Sequence, residues 1–201
     1  PSLEKSPGVY EWCGLDDPET FEENLMSDVR RKYLEQYIDK PIEYKINKQL
    51  LRCDFDIEEI GDQPVDLYLG CSHTFGTGHY KENTWPYQMS KYTGNIEVNL
   101  GIPGGDIEAS YVRLLQYVRR LNVVNVFHLQ PPYYRYGYRT NNTHSTWLVW
   151  NAEKEMQDFY GQDYVWNNYL TDGAREYNYM KYLNLSLKSF SKNLCSNRYL
   201  C

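Results

Sequence analysis

Three short stretches of this 201-residue chain carry residue types that could do covalent chemistry. The first is Gly70-Cys71-Ser72-His73-Thr74-Phe75-Gly76, a run of mostly small residues after the apolar Val65–Leu69. A serine on a tight turn between strand and helix has an exposed hydroxyl and free backbone N–H groups beside it. A nucleophile whose tetrahedral oxyanion must be held as it forms needs both. The second stretch, Gly101-Ile102-Pro103-Gly104-Gly105-Asp106, is a glycine turn able to present another unobstructed N–H. The third, His128-Leu129-Gln130-Pro131-Pro132, closes a further apolar run.

These stretches share one end of a sheet only if the elements between them are arranged correctly. Val65–Gly70, Ile96–Leu100 and Val123–Leu129 read as strands, the last apolar enough to be covered on both faces. Between them, Trp85–Tyr92 reads as a helix with Pro86 in its first turn. Asp106–Leu121 is amphipathic, with Ile107, Tyr111, Leu114, Leu115 and Val118 on one face. Strand, turn and helix recurring in this way predict parallel strands joined by right-handed crossovers. In such a sheet the working groups gather at the carboxyl ends of the strands.

Upstream, Asp16-Asp17-Pro18-Glu19 supplies a cap and a first-turn proline, and Phe21, Leu25, Val29 and Tyr33 recur at four-residue spacing. One helix over 17–39 is expected, ended by Pro41. Ile42–Ile60 reads as one or two short extended pieces. Residues 131–150 read as a long loop rich in Tyr, Asn and Thr, and 151–199 as helices broken near Gly161 and Gly173.

Composition narrows the classes. With 21 basic and 27 acidic side chains the net charge is −6, and no Lys/Arg block marks a nucleic-acid partner. No apolar run is long enough for a membrane span. No signal segment follows Pro1, so a processed or partial chain is expected and the compartment stays open. The two N-x-S/T triplets, at Asn141 and Asn184, arise too easily by chance to decide it. The 5 cysteines are too sparse for a disulfide scaffold. Cys71 is expected as a buried thiol, and whether Cys195 and Cys201 pair is left open. The 21 tyrosines suit a wet core and subunit contacts, or grooves that bind sugars and polymers.

No cofactor or metal is expected. Gly76-Thr77-Gly78 lacks the Lys-Ser/Thr of a phosphate loop, and Gly101–Gly105 lacks the dinucleotide pattern. His73 and His79 are badly spaced for a shared metal. Asp54, Asp56, Glu58 and Glu59 do not fit a calcium loop.

Leu69-Gly70-Cys71-Ser72-His73-Thr74-Phe75-Gly76 resembles the first block, G-D-S-x-T-x-G, of the SGNH/GDSL hydrolases, with Cys71 in place of the Asp. Thr84-Trp85-Pro86-Tyr87 follows where many members carry a Trp-Pro segment. Val98-Asn99-Leu100-Gly101-Ile102-Pro103-Gly104-Gly105 resembles their second block, N-x-G-x-x-G. The resemblance implies a three-layer α/β/α fold with a parallel sheet of flavodoxin-like type. It gives an N-terminal extension, 1–60, and a hydrolase domain, 61–201, incomplete at its C-terminus. It implies Ser72 as nucleophile, with its own amide and that of Gly104 in the oxyanion hole.

Two blocks depart from the family pattern. The third, G-x-N-D, is replaced by His128-Leu129-Gln130-Pro131. Residues 128 and 130 point the same way in a strand, so His128 or Gln130 is expected to replace the missing Asn. The fifth, D-x-x-H, which would bring the base, is absent; the histidines are His73, His79, His128 and His144. The expectation is therefore a serine esterase for an acyl or acetyl ester, possibly of a carbohydrate, with Tyr133, Tyr134 and Tyr136 lining the cleft and the base beyond Cys201. The alternative is a scaffold without catalysis, a binding or structural part of a viral particle or surface assembly. A homo-oligomer or larger assembly suits either.

Overall fold

The computed structural model describes residues 6–11, 17–132, 135–140, 143–148, 176–177, 179–185 and 188, with backbone alone at 136–140 and 143–148. Strand β1 (Gly8–Tyr10) pairs antiparallel with β2 (Tyr44–Ile46). Between them, Asp17 caps α1 (Pro18–Leu25), its carboxylate accepting from Thr20 N at 2.8 Å. The helix expected over 17–39 is divided. Ser27 takes an extended conformation and α2 (Asp28–Leu34) starts after it, followed by a 3-10 turn at Glu35–Tyr37. Ser-Asp is itself a cap sequence, and the regular apolar spacing ran across it. Neither helix buries a residue among those described, and Val29 and Tyr33 are 70% and 61% exposed.

The chain is α/β, built on a parallel three-stranded sheet. Strand β3 (Pro64–Leu69) lies between β4 (Ile96–Asn99) and β5 (Asn122–His128). The β3–β4 connection carries α3 (Ser72–Phe75) and α4 (Trp85–Thr93), and the β4–β5 connection carries α5 (Ile107–Tyr117). The chain leaves the central strand on one side and returns on the other, so its direction switches between β3 and β5. Crevices for ligands open at such a switch, outside the carboxyl ends of the strands.

All of β3 after Pro64 is buried, and its two faces meet different neighbours. Val65, Leu67 and Leu69 join Val98, Leu100 and Val123 in one apolar cluster. Leu114 and Tyr117 of α5 complete it, with Leu51, Cys53, Ile57 and Ile60 from the preceding segment. On the other face Tyr68 stacks on Phe127 and meets the edge of Trp85 of α4, both at just over 5 Å (5.2 and 5.3 Å). Asp66 is fully buried there, with no cation paired to it among the described residues. Its oxygens accept from Thr93 Oγ1 at 2.5 Å, Asn95 Nδ2 at 2.9 Å and Asn125 Nδ2 at 2.8 Å. Those bonds satisfy a group that would otherwise be costly in a core. They also tie the end of α4 and the start of β4 to β5 across the central strand.

Residues 131–150, expected as a loop, hold an antiparallel hairpin of β6 (Arg135–Thr140) and β7 (Thr143–Leu148). Arg-Tyr-Gly-Tyr-Arg-Thr alternates with the strand period of two, but its polar and glycine content concealed the pattern. Farther on, 176–177, 179–185 and 188 are helical, and Tyr182 sets its ring 6.1 Å from that of Tyr111 on α5. Cys195, Cys201, Asn141 and the expected breaks at Gly161 and Gly173 lie outside the described residues. Among the described residues no helix is long and apolar enough to cross a membrane.

Candidate active site

The chain must turn sharply from β3 into α3, and Gly70 allows it. Its φ is +148°, and a Cβ there would overlap Thr74 Oγ1 and stand 2.7 Å from the Leu129 carbonyl oxygen. Only glycine fits between those atoms. Behind it, the Cys71 carbonyl accepts from Thr74 N at 3.0 Å and Phe75 N at 2.9 Å, closing the short helix. Cys71 is buried where the resembling block carries an acid, and its thiol fills core space. Ser72 is half-buried at the start of α3, and neither its hydroxyl nor its amide bonds any described residue.

The far end of α3 is clamped from an unexpected direction. Gly76 turns the helix off at φ +85°. Nη1 of Arg52 donates to the carbonyls of Phe75 at 3.1 Å and Gly76 at 2.6 Å, and Nη2 to that of His79 at 2.8 Å. The guanidinium lies 4.5 Å from the Tyr44 ring centre, a cation–π arrangement in a buried setting.

The glycine turn 101–105 sits directly on this serine turn. A Cβ at Gly101 would collide with Phe75 N and stand 2.8 Å from the Thr74 carbonyl carbon. Ile102 N donates to the Gly70 carbonyl at 3.0 Å. Asn99, 2% exposed, joins the two turns: its Nδ2 donates to the Thr74 carbonyl at 2.8 Å and its Oδ1 accepts from Gly101 N at 3.0 Å. Here the Asn and first Gly of the N-x-G spacing act as a brace. Gly104 projects at φ +76° into open space, and its amide bonds no described residue.

Asp106 follows the turn and caps α5, with Oδ1 accepting from Ala109 N at 2.7 Å. Its other oxygen is buried and has no hydrogen-bond partner among the described residues. Burial pushes this carboxyl up to about 6, against the pull of the Ala109 amide.

At the end of β5, Leu129 N donates to the Leu69 carbonyl at 3.0 Å, which sets residues 129–130 beside the serine turn. The two side chains expected here differ in setting. His128 pairs with Leu69 and so shares the sheet face that Leu69 gives to the apolar cluster. Its Nε2 is buried with no partner among the described residues, and burial pulls the imidazole down to about 4. Gln130 lies past the strand end and is exposed; its Oε1 accepts from the hydroxyl of Tyr179 at 2.7 Å.

Ser72, the 101–105 turn and Gln130 are thus gathered at one rim. His73 and His79 are exposed, and no described histidine side chain bonds Ser72. Tyr133 and Tyr134 lie outside the described residues. Tyr136 is in β6 with its side chain undescribed, as is that of His144 in β7. Sequence reasoning quoted Asn99 but gave it no role, and it missed Arg52 and Tyr179. For Asn99 a signal existed in its fixed spacing before Gly101.

Set against known proteins, the chain matches no family model, no curated protein and no solved structure.

Proposed function

We propose that this chain is an SGNH-like serine esterase domain acting on an acyl or acetyl ester, with a carbohydrate as the alcohol part. The observation that carries the reading is the seating of the 101–105 turn on the Ser72 turn, braced by Asn99. Two backbone turns with unengaged amides meet there, one of them carrying a half-buried hydroxyl, and this supports an acyl-transfer reading.

In the proposed reaction Ser72 Oγ bonds to the ester carbonyl carbon as its proton passes to a base. The carbonyl π pair moves onto oxygen, where the amides of Ser72 and Gly104 and the Gln130 side chain donate to it. Collapse breaks the bond to the alcohol oxygen, which leaves with the proton. Water repeats the sequence on the acyl-serine, releasing the acid and restoring the hydroxyl. No described residue is assigned as the base. Tyr133, Tyr134 and Tyr136 would offer ring faces to a sugar.

The three-layer, flavodoxin-like arrangement belongs to the same proposal. It is supported by the contact of α4 with the Tyr68 face, that of α5 with the Leu67 face, and the switch between β3 and β5.

The full-length protein should hydrolyse p-nitrophenyl acetate, and Ser72→Ala should remove that activity. Hydrolysis that survives the substitution refutes the assignment.

A second reading has its own support. None of the described imidazoles bonds Ser72, and Val9, Met26, Val29 and Tyr33 are all exposed. A non-catalytic binding or assembly protein, in a viral particle or surface layer and as a homo-oligomer or larger complex, would have those features. A fluorophosphonate probe separates the two, since it labels a competent Ser72 and leaves a scaffold serine untouched.

A further inference from the structure

We infer that Tyr179 is a positioning residue that holds the Gln130 amide so that its NH2 group serves the oxyanion. The inference rests on the esterase reading of Ser72 and goes beyond it by assigning a role to the helical segment near residue 180. The resembling family pattern places an Asn side chain after the third strand, and this chain has none there.

An exposed glutamine is a poor substitute on its own. It has more rotatable bonds than asparagine and so more freedom to lose when it is held in one pose. Its amide also has two orientations, and the wrong one would turn a carbonyl oxygen toward a developing negative charge. The Tyr179 hydroxyl, able to donate or accept, acts here as a donor and so meets the glutamine in the orientation the role needs. By donating to Oε1 at 2.7 Å it occupies the carbonyl end, and the NH2 is left as the free donor. The segment that carries the phenol is itself held: Tyr182, one turn away, rests against Tyr111 of α5. Helix α5 begins where the 101–105 turn ends, so one element supports both sides of the proposed oxyanion hole.

The competing side chain is badly placed for the task. His128 Nε2 is buried within the protein, whereas Gln130 is open to a ligand.

The test is a double-mutant cycle on the full-length protein with p-nitrophenyl acetate. Gln130→Ala should lower kcat by about a hundredfold, as removal of one oxyanion donor does. Tyr179→Phe should lower kcat by about threefold to tenfold, the worth of one net hydrogen bond, and leave KM unchanged. The double variant should be no slower than Gln130→Ala alone, because Tyr179 acts only through Gln130. Two results overturn the inference: wild-type kcat in Tyr179→Phe, or a double variant slowed by the product of the two single effects, which is the mark of a general structural role. If the wild-type chain shows no hydrolysis that Ser72→Ala removes, the esterase reading itself fails and this inference falls with it.

Discussion

Nη1 of Arg52 donates to the carbonyl of Gly76 at 2.6 Å, so a residue ahead of the sheet holds the turn that presents Ser72. The same guanidinium reaches Phe75, His79 and Glu43 carbonyls and is 3% exposed. Its planar fork fits several carbonyls at once, which a lysine ammonium cannot do. Removing it takes the side-chain donor from the buried carbonyl of Phe75, at about 1–3 kcal/mol, and leaves that of Gly76 with the His79 amide alone. Arg52→Ala is expected to lower unfolding free energy by about 3–5 kcal/mol in urea titration. Arg52→Lys should recover less than half of that loss. A stability change under 1 kcal/mol for Arg52→Ala would show that the clamp is not needed.

Gly101 and Gly104 both belong to the proposed oxyanion turn, yet substitution should act on them differently. At Gly101 a methyl group meets the backbone of Thr74 and Phe75, which cannot move aside as a flexible side chain would. Gly101→Ala should separate the two turns, lower stability by about 1–3 kcal/mol and slow fluorophosphonate labelling of Ser72 at least tenfold. At Gly104 the space is open and only the positive φ resists, at about 1 kcal/mol. Gly104→Ala should still label. Equal labelling of both variants would separate the Gly101 contact from Ser72 reactivity.

Asp106 makes stability depend on pH in a stated direction. Its folded-state pKa is raised to about 6, mainly because burial disfavours the charged carboxylate, with Glu108 adding to the effect. The neutral carboxyl is therefore favoured by folding. Its stabilisation is complete below the unfolded value near 4 and is lost as pH rises through about 6. Asp106→Asn keeps an oxygen for the Ala109 amide and cannot ionise. Wild type should lose on the order of 2–3 kcal/mol relative to this variant between pH 4 and pH 7. Parallel stability curves across that range would contradict the assignment.

Much of the sheet was legible because its signals are local. The apolar run of β3, the first-turn proline of α4 and the apolar stripe of α5 each lie within a dozen residues, and all three elements fall where their patterns predict. The division at Ser27 and the hairpin at 135–148 were missed for opposite reasons. In the first, a regular apolar spacing hid a polar cap; in the second, polar residues hid a strand alternation. The site was legible only in part. Ser72 and Gly104 sit in short motifs, whereas Arg52 reaches Gly76 across 24 residues and Tyr179 reaches Gln130 across 49. No periodicity or motif encodes a contact of that span, because it exists only after the sheet has brought the segments together.

His128 supplies the counterpart to Asp106, and with the opposite sign. Burial pulls its imidazole down to about 4, so folding favours the neutral ring. The stabilisation is present above the unfolded value near 6.5 and is lost as pH falls through about 4. Acid unfolding should therefore begin earlier in wild type than in His128→Gln, which has no proton to gain. A ring neutral through that interval and turned to the apolar cluster does not reach the oxyanion. His128→Gln should accordingly leave p-nitrophenyl acetate hydrolysis within about twofold of wild type, well short of the 10²-fold loss expected when an oxyanion donor is removed. An NMR titration of the His128 ring protons with a midpoint above 6, or a hundredfold loss of hydrolysis in His128→Gln, would move the donor role from Gln130 to His128.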